Sequence, residues 1–233
     1  MLESDSFLVD EGGQVEELSV VSFIISAFVA GVSVTLPPGP IFAMTVTESA
    51  RRGFRAGMLV VLGHAFVELA VVVALALGLG VFMGSDTVKI VISILGGSTL
   101  VWTGSNLLRS AHKPAGAKLE MEGSERDAYV GSLMNGVLAA VVNPFFIVWW
   151  TVVGGAFTLR GLEVLGFLGP MIFLFCHWAS DFPWFGLISF SVGRGRMFLG
   201  RGTHRLLIGA CGIFLIALGL IFIWDGATLL VKP

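Results

Sequence analysis

Charge is scarce in this sequence, and its scarcity excludes most soluble folds. Asp, Glu, Lys and Arg make up 13% of the 233 residues, hydrophobic residues make up 55%, and the mean hydropathy is +0.91. A water-soluble domain carries about 25% charged residues, so this composition belongs to a membrane chain. Cysteine is nearly missing too. Cys176 and Cys211 both fall in long apolar stretches, where a free thiol packs as a small hydrophobe, and no disulfide is implied. Lys and Arg are absent from the first 17 residues, which hold Glu3, Asp5, Asp10, Glu11, Glu16 and Glu17. Residues 1–17 therefore lack the basic start of a signal peptide and are expected to form an acidic tail outside the fold. Neither Gly-x-Ser-x-Gly nor His-Glu-x-x-His occurs, so two common hydrolase signatures are missing.

Long apolar runs, by contrast, are plentiful. A bilayer core needs about 20 largely apolar residues per helix, and six such stretches lie at roughly 18–50, 56–82, 88–108, 129–158, 163–190 and 203–230. The loops after the first, third and fifth stretches hold Arg51, Arg52, Arg55, Arg109, Lys113, Lys118, Arg126, Arg194, Arg196, Arg201 and Arg205. These are 11 of the 14 basic residues, and the opposite side has only Lys89, Arg160 and Lys232. Basic loops stay in the cytoplasm, so both termini are expected outside it, with residues 109–128 forming a cytoplasmic linker.

The spans are irregular in matching places. The run "LPPGPI" interrupts the first with Pro37, Pro38 and Pro40, which donate no backbone hydrogen bond and push the preceding residues out of the helical region. Two half-helices are the expected result. The fourth span carries Asn143-Pro144 at a similar depth and is expected to break there. "GVSVTLPPGPIFAMTV" aligns with "GVLAAVVNPFFIVWWTVV", and "GHAFVE" with "CHWASD". Gly97 and Gly104 in the third span answer to Gly212 and Gly219 in the sixth. Three spans thus repeat, at 18–108 and 129–233. Three is odd, so the second copy must lie upside down relative to the first. The expected fold is an all-α membrane protein of six transmembrane helices, built as two inverted three-helix repeats with broken first and fourth helices.

Four titratable residues lie near the middle of their spans. His64 and Glu68 are four residues apart, as are His177 and Asp181, which puts each pair on one helix face. Ionisable groups in a bilayer are costly and face a partner or a wet cavity. The two breaks also expose half-helix N-termini, which favour anions. A site of both polarities suits a zwitterion, whose ammonium would meet Glu68 and Asp181. It also suits a divalent metal held by His64, Glu68, His177 and Asp181, and the histidines suit coupling to a proton gradient. An internal ion pair that merely fastens spans two and five is the plainer alternative. Among the tryptophans Trp149, Trp150, Trp178 and Trp184, Trp178 is the preferred candidate for the cavity wall. Glu48 is expected to meet Arg51 or Arg52, and Asn106 and Asn135 to be solvated or to cap helices. The four glycines fit close helix packing between the repeats or across a homodimer.

The run "PPGP" in the first span, the following "ARRGFRAG", a Gly-rich second span and "NP" in the fourth together resemble the LysE-type amino-acid exporter family, over nearly the whole chain after the acidic tail. The resemblance implies a secondary exporter of amino acids or related solutes in the inner membrane, driven by an ion gradient, with no ATPase and no cofactor. It also implies that Pro38, Gly39, Pro40, Asn143 and Pro144 form the backbone of the site. An enzyme is not expected, because the repeat duplicates every polar element in opposite senses, as a carrier with alternating access requires. A channel would need a continuous polar stripe, which spans three and six lack. The expected partners are a small-molecule substrate, lipid, and protons or another coupling ion, with no nucleic acid. The alternative is a divalent-cation exporter.

Overall fold

The computed structural model describes residues 8–79, 86–112, 125–195 and 201–231, and among them every regular element is helical. In chain order these are α1 (Leu8–Thr35), α2 (Pro40–Arg52), α3 (Phe54–Ala76), α4 (Asp86–His112), α5 (Glu125–Val141), α6 (Pro144–Trp149), a π-helical turn (Trp150–Gly154), α7 (Gly155–Leu165), α8 (Leu168–Gly195) and α9 (Arg201–Val231). Five helical stretches are long and apolar enough to cross a membrane. The pair Val20–Thr35 and Pro40–Arg52, bent by 66°, passes the same test jointly and makes a sixth when counted as one broken span. The chain is a multi-pass, all-α membrane protein, and large apolar side chains such as Phe167, Leu206 and Trp224 stand exposed on its outer face, where the solvent is lipid.

The breaks lie where proline dictates. α1 ends at Thr35, and α2 restarts with Pro40 in its first turn, where the missing N–H costs nothing. Val142 and Asn143 separate α5 from α6, with Pro144 again at the first helical position. Two boundaries differ from the sequence expectation. Of the tail placed at 1–17, residues from Leu8 on are helical and continuous with the apolar part of α1; residues 1–7 lie outside the described residues. The linker placed at 109–128 is helical at both ends, since α4 runs to His112 and α5 begins at Glu125; residues 113–124 are likewise outside the described residues. The fourth stretch is longer than 129–158, with helix on both sides of its break from Glu125 to Leu165.

Two glycines make the sharp turns. Gly53 at φ 93° separates α2 from α3, and Gly166 at φ 58° ends α7 just before α8. Both occupy the left-handed region that L side chains avoid, and Gly53 is the first of the two glycines in "ARRGFRAG".

The glycines shared by spans three and six meet within one chain. A methyl on Gly97 would lie 2.6 Å from Gly219 O, and one on Gly104 2.5 Å from Gly212 O. Seven residues forward on α4 match seven backward on α9, so these helices are antiparallel at backbone contact. By the same reasoning α1 and α8 run parallel, since Gly31 packs on His177 while Thr35 bonds Asp181 four residues on. Gly104→Ala should force α4 and α9 apart, costing about 1–3 kcal/mol and lowering Tm in detergent. An unchanged Tm would show that the contact yields freely.

Two apolar clusters share α3 and α8. Val60 packs in one with Ala43, Leu100, Ile208 and Leu215, and Ile188 of α8 rests against it. Val72 packs in the other with Phe23, Trp150, Phe173 and Leu174. His64 and Glu68 lie between Val60 and Val72 on α3, and His177 and Asp181 between Leu174 and Ile188 on α8. The titratable residues thus occupy the seam between two greasy cores.

Candidate functional site

At that seam the two pairs merge into one cluster. Glu68, 1% exposed, is approached by three side-chain nitrogens. His177 Nε2 lies 2.8 Å from its Oε1, His64 Nε2 lies 3.2 Å from the same oxygen, and Trp178 Nε1 donates to Oε2 at 2.9 Å. Both imidazoles thus turn Nε2 toward one carboxylate oxygen, and an ionised Glu68 pairs with them by accepting from a proton on each Nε2. Their Nδ1 atoms have no hydrogen-bond partner among the described residues. Aromatic rings wall them instead: Trp149 and Trp150 each lie 5.2 Å from the His177 ring, and Phe146 lies 5.3 Å from that of His64.

Asp181 is bound differently. Its Oδ1 takes a short hydrogen bond from the Thr35 hydroxyl at the end of α1, and its Oδ2 lies 3.7 Å from His177 Nε2, beyond hydrogen-bonding distance. The i, i+4 spacing therefore holds within each helix, but the tightest contacts cross between helices. The two carboxylates are not equivalent.

These residues line a cavity of about 300 Å³ at the junction of both helix breaks. Its wall includes His64, Glu68, His177, Asp181, Asn143, Pro38, Gly39 and Pro40, all singled out in the sequence. Pro144 is absent from the lining and serves as the first residue of α6. Asn143 turns its side chain to local use: Oδ1 accepts from Phe145 N at 3.1 Å and caps α6. The N-terminus of α2 has no such cap, because its N-cap residue is Gly39.

The tryptophans divide unexpectedly. Trp149 and Trp150 line the cavity, Trp178 grips Glu68 from outside the lining, and Trp184 lines a separate apolar crevice beside Phe42 and Phe214. Sequence reasoning missed Thr35, whose only signal was a hydroxyl two residues ahead of the first proline of the break. It also missed the apolar wall of Phe146, Phe185, Leu218 and Phe222, because large apolar residues carry no distinguishing mark in an apolar chain.

A second buried carboxylate network joins α2 to α5. Arg52 Nη1 pairs with Glu48 Oε2 at 2.6 Å and donates to Ala128 O at 3.2 Å, while Ser132 Oγ donates to the same Glu48 oxygen at 2.6 Å. Asn135 Nδ2 reaches Glu48 Oε1 at 3.4 Å. Glu48 thus meets Arg52 as expected, but Asn135, expected to be solvated or capping, contacts Glu48 instead. It also lines, with Asn106 and Arg51, a crevice of about 220 Å³.

His64, Glu68 and Asp181 each offer an atom within 4.8 Å of the others, a spacing that a metal ion can bridge. A metal taking an Nε2 lone pair would have to displace its contact to Glu68, while the Nδ1 atoms are buried among the rings. In this geometry the cluster is a hydrogen-bond network.

Comparison with known proteins bears on the same residues. The model of the LysE type translocator family matches residues 32–226. YcgF of Bacillus subtilis, provisionally named an amino acid efflux protein, is 22% identical over 207 residues, covering 88% of this chain and 97% of its own. The chemotactic transduction protein ChpE of Pseudomonas aeruginosa is 25% identical over 214 residues, covering 85% and 96%. No solved structure matches significantly.

Proposed function

The chain belongs to the LysE type translocator family, and from that premise we propose that it is a secondary active exporter of amino acids or related small solutes across the cytoplasmic membrane, coupled to a proton or other ion gradient. The observation that carries this reading is the cavity itself. It joins both helix breaks to a buried cluster of two imidazoles and two carboxylates. Broken helices around a mid-membrane polar site are a recurring design of carriers, and proton-exchanging side chains in such a place serve coupling.

Alternating access by inverted repeats is supported by helix direction. α1 and α8 run parallel, whereas α4 and α9 oppose each other, as a path of six spans with both termini on one side requires. The basic loops favour the extracytoplasmic side for those termini. A homodimer would be built on faces other than the Gly97–Gly219 and Gly104–Gly212 contacts, which are used within the chain.

The test is counterflow in proteoliposomes loaded with a mixture of amino acids, with and without an imposed pH gradient. Exchange of labelled amino acid, accelerated by the gradient, is the expected result. The three atoms within 4.8 Å favour one other reading, a divalent-cation exporter. Vesicles that accumulate Zn²⁺ or Mn²⁺ but exchange no amino acid would replace the first reading with the second.

A further inference from the structure

The two carboxylates of the cavity, symmetric in sequence, are in different chemical states of engagement. Glu68 is engaged at both oxygens, by His64 and His177 on Oε1 and by Trp178 on Oε2. Asp181 has one oxygen held by Thr35 and the other, Oδ2, 3.7 Å from its nearest ion-pair neighbour. The two half-helix N-termini differ in the same way. α6 is capped by its own Asn143, whereas α2 is uncapped, and its first helical bond runs from Ala43 N to Gly39 O at 3.1 Å. The N–H groups of Ile41 and Phe42 precede that bond. A methyl group on Gly39 would meet nothing within 4 Å, so the approach to this terminus is open.

The rest of the wall sets the third contact. Among the described residues no Lys or Arg lines the cavity, and the titratable side chains in its wall are the four of the cluster. Most remaining positions are apolar, among them Phe146, Trp149, Trp150, Phe185, Leu218 and Phe222. A solute with a cationic side chain would need a second open carboxylate, and Glu68 is taken. A solute with an anionic side chain would need an open donor, and both Nε2 atoms face Glu68 while both Nδ1 atoms are buried among aromatic rings. Either charge would be buried without a partner, which is costly in this environment.

We propose that the cavity takes a zwitterionic amino acid with an uncharged apolar side chain, its ammonium at Asp181, its carboxylate at the N-terminus of α2 and its side chain against the aromatic wall. Glu68 stays out of contact with the solute. This inference rests on the exporter reading and narrows it to a substrate class.

The experiment uses the full chain in proteoliposomes, with leucine counterflow competed by glycine, lysine, glutamate, 4-methylpentanoate and isoamylamine. The last two are leucine without its amine and without its carboxylate. Leucine should compete best. Glycine should be weaker by about tenfold or more, for want of the apolar contact, and the charged and half-zwitterionic compounds by roughly a hundredfold or more. In Asp181→Asn the preference for leucine over 4-methylpentanoate should collapse, while in Glu68→Gln that ratio should persist even as the rate falls. Lysine or glutamate exchanging as well as leucine overturns the substrate class and leaves the exporter reading standing. A ratio lost in Glu68→Gln but kept in Asp181→Asn overturns the division of roles. No exchange of any amino acid fails the exporter reading, and this inference with it. The competition series on the unmodified protein decides the substrate class even if a variant does not fold.

Discussion

Replacing Glu68 by Gln is expected to abolish gradient-driven accumulation while leaving solute exchange measurable in the same vesicles. The carboxylate is the single acceptor on which His64, His177 and Trp178 converge. A Gln can neither take up nor release a proton at this point, so a coupling step that passes through Glu68 stops. The amide also offers one oxygen where the carboxylate offered two, and its NH₂ would face either an imidazole N–H or the Trp178 indole N–H. One buried donor is left unmatched, at a cost of about 1–3 kcal/mol. The variant should therefore fold with a lower Tm, and size-exclusion profile and Tm are measured alongside transport. Accumulation at the unmodified rate would remove Glu68 from the coupling path.

The other large effect is expected far from the cavity. Arg52→Ala would leave the Glu48 carboxylate, buried at 2% exposure, with Ser132, a long contact to Asn135 and the nearby charge of Arg51 in place of its closest ion-pair partner. Removing one partner of a buried pair destabilises by about 3–5 kcal/mol. The lower end applies here, because the Arg52 side chain is 30% exposed. The second substitution separates stranded charge from lost packing: Glu48→Gln added to Arg52→Ala should recover most of the loss, since a neutral amide is cheap to strand. A double variant as unstable as the single one would mean that Arg52 acts through its aliphatic stem and its bond to Ala128 O instead.

Both predictions concern residues visible in the sequence, though not for the same reason. His64, Glu68, His177 and Asp181 were legible because charge is expensive in lipid, and the breaks because proline cannot donate. What the sequence concealed was relation. Nothing in the spacing of His64 and Glu68 indicates that His177, from another helix, makes the shorter contact to Glu68. Nothing in Trp178 distinguishes an indole that donates to a carboxylate from one that lines a wall, and the preferred tryptophan had the former role. The glycines were legible as packing positions but not as to partner, because a backbone contact between α4 and α9 leaves the same signature as one between subunits. The extension of α1 back to Leu8, ahead of the apolar stretch that starts near residue 18, had no apolar signal to announce it.

One local irregularity left no mark on the pattern at all. From Trp150 to Gly154 the fourth span widens into a π turn, where each hydrogen bond reaches one residue further than in an α-helix. The turn acts as a phase shifter. It absorbs an extra residue and resets the azimuth of everything downstream by about 100°, the angular step of one residue. Trp149 and Trp150 can therefore face the cavity while Phe157 stacks on Phe173 and Gly161 meets Gly169 of α8. The setting also explains the small residue that closes the turn, since a methyl on Gly154 would strike the Trp150 ring at 2.5 Å. Deleting one residue here would keep every side chain's chemistry and change only the angle between the two ends of the helix, so that either the cavity wall or the α7–α8 seam would face the wrong way.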